Sequence, residues 1–209
     1  MKKFIAIFFI LLMVVGITTG CSKKEAIEDK KEVLIVNKEE KEVKIVAVVN
    51  GKYFTEATRH GVVAVGGSNA EKSVLRGQAN EIDFHRALME IGAKPGDNVK
   101  LEDMTKGVKV TGEKLDVFVT WKGLGKEIPF NDIIKASNER DIDIRFGGNL
   151  VAAKDKKTGC VLCLDSCAVG ITSNSSYETG ASNTIKFFGN PDVLPKDGTK
   201  VTVIFRIGN

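Results

Sequence analysis

Three of the four cysteines in this 209-residue chain fall within eight residues. The text Thr158-Gly159-Cys160-Val161-Leu162-Cys163-Leu164-Asp165-Ser166-Cys167 sets them in a Cys-x-x-Cys-x-x-x-Cys spacing. The thiolate is the species that ligates metals and attacks disulfides, so such a cluster points to one of three chemistries. In the first, Cys160 and Cys163 grip one metal and Cys167 joins them. A tetrahedral zinc site then needs a fourth ligand, for which His60, His85 and Asp165 are the candidates. In the second, Cys160 and Cys163 form a redox disulfide with an unspecified redox partner, and Cys167 is a free or resolving thiol. In the third, the pair is a structural staple, a bond that persists outside the cytoplasm. Spacing alone leaves all three open.

The same spacing resembles the last three cysteines of a bacterial ferredoxin run, which makes an iron–sulfur cluster the alternative to zinc as cofactor. The first cysteine of that run is missing, and Ala168 stands where its proline would be. Export bears on the point as well. The chain opens Met1-Lys2-Lys3, without the paired arginines that would let a folded, loaded protein cross.

The remaining cysteine, Cys21, belongs to an address. Fourteen uncharged residues, Phe4 to Ile17, follow the two lysines, and then Thr18-Thr19-Gly20-Cys21. A cationic start, a short apolar run and small residues before a cut site define a secretory signal. The run is shorter than the roughly 20 residues of a membrane span. Gly20-Cys21 resembles a bacterial lipobox, although Thr18 sits where that pattern has leucine. The resemblance implies cleavage before Cys21 and a diacylglyceryl group on its thiol, and two acyl chains anchor stably. Residues 1–20 are therefore expected to be a lipoprotein signal peptide. Residues 21–32, mixed in charge and poor in large apolar groups, are a disordered tether. Residues 33–209 are expected to form one domain on the outer face of a bacterial membrane. Loss of Lys2 and Lys3 with the leader lowers the formal net charge from +4 to +2. No basic block stands out, so nucleic-acid binding is not expected.

The elements that must position these residues follow from periodicity. Val33, Ile35, Val43, Ile45, Ala47 and Val49 alternate around a polar turn and read as a hairpin, which Asn50-Gly51 extends with a further turn signal. Leu115–Trp121 and Val201–Ile207 alternate in the same way. Two helices are expected between them. Ser68 and Glu71 match a capping box ahead of Val74 and Leu75. Asn80 to Ile91 carries Ile82, His85, Leu88 and Met89 on one side, with Gly92 as its stop. Gly147 to Asn190, rich in Gly, Asn and Ser, reads as long ordered loops with short strands. The expected fold class is α+β: one mixed domain, strands at both ends, two helices in the middle. Gly66 to Ser73 approaches a phosphate loop, but Glu71 replaces its second glycine. No hydrolase triad, HExxH or paired-carboxylate motif is present, so no catalytic residue is assigned.

Several segments together resemble the YdjY-domain proteins. They are Asn50-Gly51-Lys52-Tyr53-Phe54, Arg59-His60, Gly66-Gly67-Ser68, Ala87-Leu88 with Ile91-Gly92-Ala93-Lys94-Pro95-Gly96, Phe146-Gly147-Gly148, Gly159 to Cys163 and Val169-Gly170-Ile171-Thr172. The resemblance spans about 33 to 209. Some members of that family are described as 4Fe–4S ferredoxin-like, which implies a cluster on Cys160, Cys163 and Cys167. It supplies no catalytic residues. The alternative is a non-catalytic binding or scaffold lipoprotein with a structural disulfide.

Overall fold

The alternating segments form strands because each offers one apolar face. A computed structural model describes residues 33–208. β1 (Leu34–Asn37) and β2 (Glu42–Val49) form the expected hairpin. Asn37 closes it, its Oδ1 accepting from the backbone N–H groups of Glu39 and Glu40 at 3.1 and 3.2 Å. On β2 the alternate residues Val43, Ile45, Ala47 and Val49 are fully buried. β12 (Lys200–Ile207) lies between β2 and β5 (Lys114–Trp121), antiparallel to both. Fully burying a side chain such as Phe205 contributes about 1.5–3 kcal/mol.

From β5 the sheet continues through β8 (Ile144–Phe146), β10 (Thr172–Asn174), β9 (Cys160–Cys163), β3 (His60–Ala64) and β4 (Ser73–Gly77). β4 then pairs back onto β2, so eight strands close into a barrel. The β9–β10 and β3–β4 pairs are parallel and the other barrel pairs antiparallel. β1 and β6 (Ile128–Pro129) add to this sheet, while β7 (Ile134–Ala136) and β11 (Phe187–Gly189) form a separate antiparallel pair.

This mostly-β barrel overturns the expected α+β class. Of the two expected helices only the second exists, as α1 (Glu81–Glu90). Asn80 caps it through Ile82 and Asp83 N–H, and Gly92 follows its end with φ +91°. Phe84 and Leu88 carry it into the barrel core, the Phe84 ring 4.7 Å from that of Phe205. The first expected helix is a single 3-10 turn, Ala70–Lys72, leading straight into β4. Val74 and Leu75 are adjacent residues with no helical repeat behind them. Pairing with β2 and β3 outweighs the local capping signal. Gly77 fits that pairing, since a Cβ there would lie 3.1 Å from Val62 Cγ1. Asn50-Gly51 also departs from expectation, because Gly51–Phe54 is a 3-10 turn that carries the chain across to β3. The Gly147–Asn190 stretch holds three short strands and also a second helix, α2 (Leu150–Lys156). Among the described residues, no helix is long and apolar enough to cross a membrane. The expected signal, tether and Cys21 lie outside the described residues.

Candidate metal centre

In a regular strand, residues three apart point to opposite faces. Cys160 and Cys163 nonetheless share a face. Val161 and Leu162 between them enter the barrel core, while both cysteines join a smaller cluster with Val63, Ala70 and Cys167. The pairing of β9 with β3 explains this out–in–in–out order. The register runs His60 to Cys163, Val62 to Leu162 and Val63 to Cys160, with a shift in each interval. Gly61 is the extra residue on β3 and Val161 the extra residue on β9. Each bulge resets the alternation of its strand. Gly61 suits the crowded spot, since a Cβ there would come within 2.7 Å of Leu162 Cδ2.

The same register brings His60 opposite Cys163. His60 Nδ1 stands 3.6 Å from Cys160 Sγ. The donor atoms of His60, Cys160 and Cys163 all lie within 4.8 Å of one another. Cys160 and Cys163 are fully buried and Cys167 is 3% exposed. All three are free thiols. Cys163 is the middle member, its thiol directed to both Cys160 and Cys167. Those hydrogen bonds push the Cys163 thiol well above its ordinary value. They hold Cys160 low, with His60 contributing, against the opposing effect of burial. Cys167 is lowered by Cys163 first and by Arg59 further on. In the metal-free cluster Cys163 is therefore the thiol that holds its proton most tightly, and Cys160 and Cys167 are shifted the other way.

Arg59 and Asp165 sit beside the sulfurs. Arg59 donates Nε and Nη2 to Asp165 Oδ1 at 3.0 and 2.6 Å. The other carboxylate oxygen accepts from Ser182 N at 3.2 Å. Burial disfavours the Arg59 charge, but Cys167, Asp165 and Cys163 outweigh it and raise its pKa. Asp165, a candidate ligand by sequence, is thus committed to holding the arginine. His85 is not brought to the sulfurs either. It lies on α1 against the Phe146 ring, centroids 5.0 Å apart, and burial lowers its pKa. His60 is the histidine that converges.

Four further residues support the sulfurs. Asn149, with φ +47°, donates Nδ2 to the carbonyls of Cys167 at 2.9 Å and Gly170 at 3.2 Å. That clamps the loop carrying Cys167. Gly170 is needed for close approach, since a Cβ there would lie 2.8 Å from Ser173 Oγ and 3.0 Å from Cys163 Sγ. Ser173 pairs with Cys163 in the parallel register, and its buried hydroxyl has no hydrogen-bond partner among the described residues. Thr158 Oγ1 is likewise buried without an oxygen or nitrogen partner, and it helps lower the Cys160 pKa.

The donor set fits one ion better than a cluster. Zinc stands about 2.3 Å from sulfur and about 2.0–2.1 Å from nitrogen, so tetrahedral donors are roughly 3.3–3.8 Å apart. The 3.6 Å His60–Cys160 separation falls in that range, and Cys163 lies within 4.8 Å of both. In a 4Fe–4S cubane each thiolate takes its own iron around a core of eight atoms. Here the three cysteines pack against one another in one small buried cluster, with Val63, Ala70, Met104 and Val169 around them. A cubane does not fit this arrangement.

The comparisons with known proteins agree on the family. The YdjY domain matches residues 34–206. The chain is 43% identical over 208 residues to "Uncharacterized protein YdjY" of Escherichia coli (strain K12), covering 94% of this chain and 92% of that protein. No solved structure matches the chain. With its match running from the first barrel hairpin almost to the end of β12, this chain belongs to the YdjY domain family.

Proposed function

We propose that this is a lipid-anchored extracytoplasmic protein whose YdjY domain binds a single thiophilic metal ion. His60, Cys160 and Cys163 are the primary ligands and Cys167 is the fourth donor. The observation that carries this reading is the convergence of three donor atoms within 4.8 Å, on strands whose bulges turn both sulfurs the same way. The bound ion supplies a fixed positive centre in a buried site. The chain's own residues do the rest. His60 presents Nδ1 to the ion, and the cysteines ligate as thiolates, so binding releases protons and affinity falls in acid. Arg59 balances the negative charge of three thiolates and one divalent cation. Asn149 holds the Cys167 loop in reach.

The anchor rests on the Gly20-Cys21 lipobox and the apolar run before it. Twelve tether residues, 21–32, span at most about 40 Å when extended, which keeps the barrel near the membrane surface.

A thiol–disulfide function is the second reading, favoured by the split between the depressed Cys160 and the elevated Cys163. Anaerobic purification followed by metal analysis and a thiol count separates the two. The metal reading expects about one ion per chain and three thiols that become titratable only on chelation. Protein that repeatedly binds no zinc, copper or iron, and whose thiols cycle with a disulfide reagent, overturns it.

A further inference from the structure

On the side of the molecule formed by the β7–β11 pair, a cavity of about 550 Å³ opens beneath the 138–143 loop. Leu164, Tyr177 and Phe187 line it and are buried. The two aromatic rings meet edge to face at 4.9 Å.

Asn174 also lines this cavity and is 1% exposed. Its Oδ1 accepts from the backbone N–H groups of Asp143 and Ser176, each at 3.1 Å. Those two donors fix which end of the amide is oxygen. Nδ2 is left with no partner among the described residues. An unmet buried donor costs about 1–3 kcal/mol, and native proteins carry few.

The rim adds a second signal. Its two cations are already engaged. Lys135 pairs with Asp192 at 2.5 Å. Arg140 pairs with Glu178 at 3.6 Å, donates to the Ser176 carbonyl and lies over the Tyr177 ring. The rim carboxylates Asp132, Glu139 and Asp141 form no ion pair among the described residues.

We infer that this cavity is a binding site for a small cationic amide. A carbonyl oxygen of the ligand accepts from Asn174 Nδ2, its apolar body covers Tyr177 and Phe187, and its ammonium or guanidinium meets the free carboxylates. The volume lies within the roughly 300–1,000 Å³ of small-molecule sites and suits a dipeptide amide. The site shares no ligand with the thiol centre, so it stands whatever that centre binds.

Calorimetric titration of the purified protein with phenylalanyl-lysinamide tests the inference. Saturable one-to-one binding is expected, with phenylalanyl-glutaminamide roughly tenfold weaker and phenylalanyl-glutamate not bound. Asn174→Asp keeps the oxygen that Asp143 and Ser176 use and removes the donor, so a loss of roughly tenfold is expected. The exposed double variant E139Q/D141N leaves the core untouched, and it should reduce the preference for the cationic amide, with Asp132 the one free rim carboxylate left among the described residues. No saturable binding of the cationic amide, equal affinity for all three compounds, or an unchanged preference in E139Q/D141N overturns the inference.

Discussion

Adding one methyl group at Gly170 should damage the thiol centre. The new Cβ in Gly170→Ala would sit 2.8 Å from Ser173 Oγ, 3.0 Å from Cys163 Sγ and 3.0 Å from the Thr172 carbonyl oxygen. Real Cβ contacts that short force something to move. Thr172 lies in β10, paired to β8 and β9, so the backbone gives least and Cys163 is displaced. Overpacking of this kind costs about 1–3 kcal/mol. For a domain of this size each kcal/mol lowers Tm by about 2–4 °C, so the metal-free variant should melt roughly 2–12 °C below wild type. The zinc-loaded variant should lose more, because the displaced sulfur also weakens binding and with it the ligand's contribution to stability. Calorimetric melting with zinc and with chelator measures both. Gly66→Ala is the control, since a Cβ there meets nothing within 4 Å. Adding Ser173→Ala to Gly170→Ala should recover part of the loss by removing the nearest clash. A Gly170→Ala protein with wild-type Tm and wild-type zinc affinity would refute the proposed packing of Cys163.

Three further outcomes are expected. Arg59→Gln strands the fully buried Asp165 carboxylate with Ser182 N alone, and should cost on the order of 3 kcal/mol in denaturant unfolding; Arg59 is itself 27% exposed, which argues for the low end of the range. In metal-free protein, ultraviolet thiolate absorbance should rise in separate steps: Cys160 ionises below its ordinary 9.0 and Cys163 above it, whereas one step near 9 contradicts the hydrogen-bonded triad. The sign for stability follows. The depressed Cys160 contributes stability present above pH 9 and lost as pH falls through its folded value, while the elevated Cys163 costs stability as pH rises past 9. Cys21→Ala should release the protein from membranes or leave an uncut precursor in fractionated cells, and a processed variant still bound to membranes would rule out the lipid anchor.

How much of this was legible depended on period. β2 and β5 bury alternate residues along most of their eight positions, and the Val201, Val203, Phe205 alternation of β12 was readable although Ile204 is buried as well. α1 carried both a cap and a stripe. β3 and β4 are five residues each and buried on nearly every side chain, so no alternation marks them. β9 was hidden by its own bulge, because out–in–in–out matches neither a strand nor a helix. α2 is seven residues long with Val151 85% exposed, and its apolar content gave no warning of a helix. One of the two helices was therefore misplaced, and closure of the barrel, set by the β4–β2 pairing, has no local signature at all. At the centre, residue type exposed the three cysteines and His60 as candidates. Convergence of His60 on Cys160 is a contact across 100 positions and belongs to the fold. The roles of Arg59, Asn149 and Ser173 are equally non-local, while His85 drew notice through a helical stripe that placed it against Phe146 instead.

The central claim is that one ion is held by these sulfurs and one imidazole. X-ray absorption at the metal edge of anaerobically purified, zinc-loaded protein tests it most directly. A shell of about three sulfurs near 2.3 Å with one nitrogen near 2.0–2.1 Å is expected, the nitrogen vanishing in His60→Ala and one sulfur in Cys163→Ser. A shell of oxygen and nitrogen alone, or a spectrum unchanged by both substitutions, would contradict it.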